Sequence, residues 1–113
     1  MALPQSTSDI DELLRTAISQ RRLIRLNYQG KERIVEPHDY GIHKGSVKLL
    51  AYQVGGSSSG PLPNWRWMET GLISGLSVLD QTFPGGRPVP SGKHHAWDKV
   101  FIRVQAADKP KQN

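Results

Sequence analysis

Three cationic side chains lie in the middle of segments whose residues alternate as in β-strands, at Arg33, Lys48 and Arg66. If these strands are neighbours in a sheet, the three cations share one surface. The planar guanidinium of arginine binds two phosphate oxygens at once, and the lysine ammonium adds a compact charge beside it. The pattern therefore predicts an anion-binding surface. The alternative is a solvated strand face on which glutamates such as Glu32 and Glu69 pair with these cations.

His38, Tyr40 and Gln53 are predicted to complete the ligand pocket. His38 follows Pro37 and can donate a hydrogen bond to an anion, or act as an acid or a base near neutral pH. The other interpretation is a structural histidine in a turn. The rings of Tyr40, Trp65 and Trp67 offer faces on which nucleic-acid bases stack, although such aromatic residues also fill protein cores.

A basic cluster spans the end of the predicted helix and the start of the first strand, and comprises Arg15, Arg21, Arg22 and Arg25. Cations near a helix C-terminus are stabilised by its dipole, which accounts for two of them. The remaining charge suits a phosphate backbone. We therefore take Arg22 and Arg25, together with Trp65, as candidate nucleic-acid contacts.

The charge balance of the 113-residue chain favours polyanionic partners. Fifteen Lys and Arg residues against ten Asp and Glu residues give a net charge of +5. Such a charge steers anionic partners toward a protein and favours their binding through counterion release. The absence of cysteine excludes disulfides, thiolate catalysis and cysteine-ligated zinc. No segment approaches the ~18 apolar residues of a membrane span, and the first residues do not resemble a secretory signal, so we expect a cytoplasmic protein.

The chain contains no motif typical of a hydrolase, a zinc protease or a nucleotide-binding glycine loop, so we expect neither enzymatic activity nor a cofactor. His94 and His95, with Asp98, raise the question of a metal site. Adjacent histidines on a strand point in opposite directions, and no third ligand is positioned, so a solvated loop is the preferred interpretation.

A helix is predicted over 8–20. Ser8 is the expected N-cap, and Asp11 lies in the first turn, where acidic side chains stabilise the dipole. Apolar residues recur at helical spacing and form one buried face. They are Ile10, Leu13, Leu14, Ala17 and Ile18.

Five short antiparallel strands are predicted after the helix, over 21–28, 32–36, 47–54, 65–70 and 72–79. Pro37 is expected to stop or bend the second strand, because proline cannot donate to a ladder. Of the two tryptophans in the fourth strand, Trp67 is expected in the core. Residues 55–63 have the composition of a flexible loop. The segment 97–104 fits either a helix or a strand, and its periodicity does not decide between them.

An ordered series of residues runs through these elements between about 10 and 83. It includes Ala17, Ile18, Arg22, Tyr28, Gly30, Arg33, Val35, Pro37, Leu49, Ala51, Tyr52, Arg66, Ile73, Val78, Leu79, Asp80 and Phe83. In this order and spacing the chain resembles a WYL domain, the Sm/SH3-like barrel module common in bacterial regulators. The family's Trp-Tyr-Leu triplet falls on Val47, Lys48 and Leu49, and a second expected arginine falls on Leu72, so the ligand site is altered.

The resemblance implies an α+β fold, with an N-terminal helix followed by a five-stranded antiparallel Sm/SH3-like barrel. We expect one domain, with a core over about 8–83 and a packed C-terminal extension over about 84–107. In that family the barrel usually serves as the sensor of an attached DNA-binding domain and holds nucleic-acid or nucleotide-like ligands on basic strand residues. A chain of 113 residues leaves no room for both. We therefore expect a stand-alone transcription-regulatory module that binds single-stranded nucleic acid or a nucleotide.

Two other functions remain open at this stage. Small barrels present strand edges that add a partner's strand or form homo-oligomers, which suggests a protein-interaction module acting with a separate DNA-binding or effector protein. The second alternative is a small hydrolase or lyase that uses His38 with Asp39 or Glu36. Consecutive residues on a strand rarely converge, which disfavours this alternative.

Overall fold

The computed structural model describes residues 6–58, 60–87 and 97–105. In these residues the chain forms one α-helix and a six-stranded antiparallel sheet, which confirms the α+β class. The elements in chain order are α1 (Thr7–Gln20), β1 (Arg22–Tyr28), β2 (Lys31–His43), β3 (Ser46–Gly56), β4 (Asn64–Glu69), a 3-10 turn (Thr70–Leu72), β5 (Ser74–Thr82) and β6 (Lys99–Arg103).

The strand order is β4-β3-β2-β1-β5, and β6 pairs with β2 outside this order. The long strand β2 has β3 along one side. On its other side residues 31–35 pair with β1 and residues 39–42 pair with β6. The segment 97–104, which periodicity left open, therefore contains a strand. Pairing with β2 decides the conformation that the apolar pattern of the segment did not.

Strand β2 continues through Pro37 to His43, so the predicted end of this strand at Glu36 is wrong. The register of β2 against β3 shifts between Pro37 and Asp39, which places an irregularity at the proline. A residue without an N–H is tolerated at such a bulge. The same position separates the part of β2 that pairs with β1 from the part that pairs with β6.

Helix α1 begins one residue earlier than predicted, and its N-cap is Ser6 rather than Ser8. The Ser6 hydroxyl accepts a hydrogen bond from the Asp9 N–H at 3.1 Å, and the Asp9 carboxylate accepts from the Ser6 N–H at 3.4 Å. This reciprocal pair is a capping box, which requires an acceptor three residues after the cap. The last helical residue is Gln20, and the C-cap, Arg21, lies in the left-handed region with a φ of 53°.

The core lies between α1 and one face of the sheet, which we call the inner face. Strand residues alternate between this face and the opposite, outer face. The largest fully buried side chains of the core are Leu14, Ile18, Ile24, Leu26, Leu49, Met68 and Val35.

The tryptophans of β4 lie on the outer face, so the prediction that Trp67 belongs to the core is wrong. Met68, adjacent to Trp67, is the β4 residue in the core, with 1% exposure. Because faces alternate along a strand, Trp65 and Trp67 point away from Met68. The Trp67 ring stacks on His43 at 4.4 Å between centroids and also contacts Trp97 at 5.3 Å.

The boundaries of the other strands lie within a few residues of their predicted positions. Strand β3 extends to Gly56, which takes two residues from the predicted loop 55–63. Strand β4 ends at Glu69, and β5 starts at Ser74, because a 3-10 turn that contains Gly71 connects them. Among the described residues, no helix combines the length and apolar composition needed to cross a membrane.

Replacement of Ser6 by alanine should lower the free energy of unfolding by about 1 kcal/mol, because the cap of α1 is lost. Replacement of Ser8 by alanine should change it by less than about 0.5 kcal/mol, because Ser8 is exposed and its hydroxyl, among the described residues, bonds only to the Ser6 hydroxyl, at 3.2 Å, and not to an N–H of the first turn. Urea unfolding of the two variants and the wild type measures both values. A larger effect at Ser8 than at Ser6 would show that the helix begins where the sequence predicted.

Candidate anion-binding site

Two guanidinium groups converge on one amide oxygen at the inner face of the sheet. The Gln53 Oε1 atom accepts a hydrogen bond from Arg33 Nη1 at 3.1 Å and another from Arg66 Nε at 3.3 Å. Gln53 is completely buried, and Arg33 is 6% exposed. The structure therefore brings together two of the three cations predicted to bind phosphate, with the glutamine predicted to complete the pocket.

The register of three adjacent strands produces this convergence. Gln53 of β3 lies opposite Val35 of β2 and Asn64 of β4. Arg66, two residues along β4 from Asn64, lies opposite Ala51, whose methyl side chain leaves space for the guanidinium to extend toward Gln53. Side chains opposite one another in an antiparallel pair share a face, so all these side chains belong to the inner face.

Close backbone approach occurs next to Arg33. The residue opposite Arg33 in β3 is Gly56, which has a φ of 81°. A Cβ atom at this position would lie 2.3 Å from the carbonyl oxygen of Glu32. Only glycine fits here, because both the positive φ and the contact with backbone exclude a side chain. At the end of the β2–β3 ladder, the residue paired with the buried Arg33 is therefore a glycine.

The amide group of Gln53 is held in one orientation. Its Nε2 atom donates to the carbonyl oxygens of Gly55 at 3.0 Å and Ser57 at 2.9 Å. Carbonyl oxygens accept only, so the nitrogen must face them and the oxygen must face the two arginines. All the donors of this buried amide are used. The oxygen that the arginines share is thus fixed in position but carries no formal charge.

The positive charge of Arg33 and Arg66 is not balanced by a carboxylate. Within the described part of the chain, the ion pairs join other residues, and neither arginine has a carboxylate within 4.0 Å. Burial lowers the pKa of Arg33, and the neighbouring charge of Arg66 lowers it further. Arginine nevertheless stays protonated in proteins. An anion bound between the two groups would relieve their repulsion.

Several N–H groups of this pair have no acceptor among the described residues. Each guanidinium has five N–H donors. Arg33 uses two, toward Tyr28 O and Gln53 Oε1, and Arg66 uses two, toward Gln53 Oε1 and Ser58 Oγ. Three donors therefore remain on each arginine. Oxyanions are the ligands that such clustered donors bind most strongly.

The guanidinium pair opens into a small pocket of about 250 Å³, lined by Tyr28, Gln29, Lys31, Arg33, Arg66, Trp67 and Met68. Pockets that hold a whole small-molecule ligand have volumes of ~300 Å³ or more, so this pocket has room for only one part of a ligand. Its cationic lining suits a negatively charged group. Lys31 was not among the residues predicted from the sequence to bind a ligand. Its position two residues before Arg33 on the same strand is the signal that would have identified it.

His38 is a structural residue on the other side of the sheet and does not line this pocket. Its Nδ1 atom donates to Glu36 O at 2.8 Å, and its Nε2 atom accepts from the Arg87 N–H at 3.2 Å. This pattern requires the neutral ring with the proton on Nδ1. Burial lowers the pKa of His38, and the carbonyl of Glu36 opposes that shift. The ring packs against Trp65 and Phe83.

The two carboxylates that could have assisted His38 in catalysis are paired with arginines. Glu36 is 4% exposed and receives two hydrogen bonds from Arg87, at 2.6 and 2.9 Å. These bonds raise the pKa of Arg87. Asp39 accepts from Arg103 at 3.0 Å. The guanidinium of Arg87 also lies 4.5 Å from the centroid of the Tyr52 ring, so Arg87 anchors the segment after Phe83 to the sheet. This role of Arg87 was not predicted from the sequence.

Tyr40 and Lys48 lie away from the guanidinium pair. The Tyr40 hydroxyl donates to Asp11 Oδ1 at 2.7 Å, and burial together with this bond raises the pKa of Tyr40. Its ring lines a separate, wider cavity of about 970 Å³ with Phe101 and Leu72. Lys48 lies opposite Gly41 and Glu69, on the face opposite to Leu49 and the core.

The three candidate nucleic-acid contacts, Arg22, Arg25 and Trp65, differ in the contacts that their side chains make within the protein. Arg22 donates to Leu79 O at 2.7 Å and pairs with Asp80 at 3.4 Å, so it connects β1 to β5. Arg25 is exposed and makes no hydrogen bond or ion pair with the residues the structure describes. Trp65 is half-buried between His38 and Tyr52, with ring centroids 4.7 and 5.2 Å away.

His94 and His95 lie outside the described residues. Among the residues that are described, no group of three His, Cys, Asp or Glu side chains is arranged to hold a metal ion. No protein-family model matches this chain, and comparison with curated proteins and with solved structures finds no match. The function is therefore inferred from the geometry of the site and from the resemblance in sequence.

Protonation of His38 should destabilise the fold at mildly acidic pH. The unfolded-state pKa is near 6.5 and the folded pKa is lower, so the unfolded chain binds the proton first. The contribution of His38 to stability is complete above about pH 6.5 and is lost as the pH falls toward the folded pKa. Urea unfolding between about pH 7.5 and about pH 5 should show a steeper loss for the wild type than for His38→Gln. Parallel profiles would show that His38 does not titrate in this range.

Proposed function

We propose that this protein is a non-enzymatic regulatory module that binds a phosphate-bearing ligand, a nucleotide or single-stranded nucleic acid, at Arg33 and Arg66. One observation carries this proposal: two guanidiniums share a neutral oxygen of Gln53 and have no carboxylate within ion-pair distance in the described residues. A phosphate group supplies both the charge and the acceptors that this arrangement lacks.

We also propose that the sheet is a variant of the Sm/SH3-like barrel and that the chain is a stand-alone WYL-like domain. The order β4-β3-β2-β1-β5 after an N-terminal helix supports this assignment, as does the change of partner along β2 at Pro37. In the described part of the chain, β4 and β5 each pair with one neighbour, so the ring of strands is not closed. A separate DNA-binding or effector protein would then receive the signal.

The packing of Trp65 and Tyr40, two of the aromatic residues considered for base stacking, favours contact with phosphate over contact of these rings with bases. Trp65 lies between His38 and Tyr52, and Tyr40 contacts Phe101 at 5.1 Å between ring centroids. Their packing inside the protein leaves them less accessible than the open aromatic platforms on which bases stack. The proposed ligand is therefore recognised through its phosphate groups.

Loss of Arg66 should weaken binding of a fluorescently labelled single-stranded DNA oligonucleotide by about tenfold, because a charge-assisted hydrogen bond to phosphate contributes more than 1 kcal/mol. The comparison variant is Arg25→Gln, which removes the same charge at an exposed candidate nucleic-acid contact outside the guanidinium pair. We expect Arg25→Gln to weaken binding by less than about threefold. Fluorescence anisotropy titrations of wild type, Arg66→Gln and Arg25→Gln at two salt concentrations measure these affinities.

The outcomes of this titration separate three functions. Weakening with salt and with Arg66→Gln, but not with Arg25→Gln, supports the proposed site. Equal losses for both variants would show a diffuse electrostatic attraction to the basic surface rather than a site. Absence of binding at low salt would contradict the proposal and favour the alternative, a protein-interaction module.

Binding should depend little on base identity. Labelled oligo-dA and oligo-dT of equal length should bind with affinities within about threefold, because phosphate contacts carry no sequence information. The Trp65→Phe variant should bind both as the wild type does. A preference above about tenfold for one base, abolished by Trp65→Phe, would instead assign Trp65 to the ligand-binding surface.

A further inference from the structure

The segment 55–58 is bonded directly to the guanidinium pair. It belongs to residues 55–63, whose composition predicts a flexible loop, yet Gln53 donates to the carbonyl oxygens of Gly55 and Ser57, and Arg66 Nη2 donates to Ser58 Oγ. The Ser57 N–H donates to Glu32 O at 2.7 Å, and the Gly60 N–H donates to Ser58 Oγ at 3.2 Å. This segment is therefore held against the guanidinium pair, and Ser58 is its residue whose side chain contacts an arginine.

Arg66 and Arg87 donate hydrogen bonds from the same two nitrogen atoms, Nε and Nη2, but to different acceptors. In Arg87, Nε and Nη2 donate to the two carboxylate oxygens of Glu36. In Arg66, Nε donates to Gln53 Oε1 and Nη2 donates to Ser58 Oγ. Two neutral oxygens thus take the places that an anion occupies at Arg87. Hydrogen bonds to a charged acceptor are about twice as strong as those to a neutral one, so an oxyanion has the advantage over Ser58.

We propose that an oxyanion binds to Arg66 by displacing Ser58 from Nη2, and that this displacement releases the chain at Ser58, just beyond the residues that Gln53 holds. The inference rests on the proposed function, because it takes the guanidinium pair as the anion site. Gln53 is buried within β3, whereas Ser58 lies beyond the end of that strand, so Ser58 is the acceptor that can move. The ligand state of the buried site is then reported at the surface, where a partner protein can read it.

Replacement of Ser58 by alanine should strengthen binding of inorganic pyrophosphate by about three- to tenfold, because the competing acceptor is removed. The matched control is Ser57→Ala. Ser57 uses its backbone groups, and its hydroxyl has no hydrogen-bond partner among the described residues, so this control should bind as the wild type does. Isothermal titration calorimetry of the three proteins with pyrophosphate measures the affinities.

Amide hydrogen exchange provides the second measurement. Saturating pyrophosphate should accelerate exchange of the Gly60 N–H by at least about threefold in the wild type, because its acceptor Ser58 Oγ leaves. In Ser58→Ala, pyrophosphate should leave the exchange of this amide unchanged. The N–H groups of β1 serve as the internal reference, since they lie in the interior of the sheet.

Each outcome bears on one of the two proposals. If the wild type binds pyrophosphate but Ser58→Ala and Ser57→Ala have equal affinities, the anion uses other N–H groups and the displacement is refuted, while the anion site stands. If Ser58→Ala binds more weakly, Ser58 contacts the anion instead of competing with it. If neither the wild type nor Ser58→Ala binds pyrophosphate, the proposed function itself fails.

Discussion

The structure depends on the continuous pairing of β2, whose 13 residues run through a proline. Because β3 pairs with β2 from Arg33 to His43, the register set there fixes which side chains of three strands face the core. On its other side the strand changes partner, from β1 to β6, at Pro37. Arg33 lies before this position and Tyr40 after it, so one strand supplies both the buried cation of the site and the tyrosine that anchors α1.

The distribution of partners among the arginines distinguishes structural from candidate functional charges. Arg15, Arg22, Arg87 and Arg103 each pair with a carboxylate. The most buried of these carboxylates, Glu36, connects the segment after Phe83 to the outer side of the sheet. A buried carboxylate without such a partner would be costly, so this ion pair is a requirement of the fold.

Arg33 and Arg66 have the opposite arrangement, because their common acceptor is a neutral amide. The fold keeps this acceptor in place with hydrogen bonds from Gln53 to the backbone of Gly55 and Ser57. Two like charges held together with no carboxylate within ion-pair distance in the described part of the chain cost stability, and strain of this kind is typical of binding sites. The same hydrogen bonds order the first part of a glycine- and serine-rich segment, so the site and that segment are physically coupled.

The sequence by itself determined the α+β class, the positions of most strands and the placement of Arg33, Gln53 and Arg66 within strands. Alternating and helical apolar periods are local properties, and each of these three side chains lies within a predicted strand. Composition likewise excluded cysteine chemistry. These features follow from short-range patterns that do not depend on which strands become neighbours.

Only the tertiary structure decided which face each strand turns inward and what each polar group contacts. A one-residue difference in register exchanges the two faces of a strand. For this reason Trp67 was wrongly predicted in the core, where Met68 lies instead, and Lys48 lies on the face opposite to Arg33 and Arg66. The pairing of Glu36 with Arg87 joins residues 51 positions apart, and no local pattern encodes it. Long-range pairing also decided that the segment 97–104 contains a strand, because its residues 99–103 pair with residues 39–42 of β2.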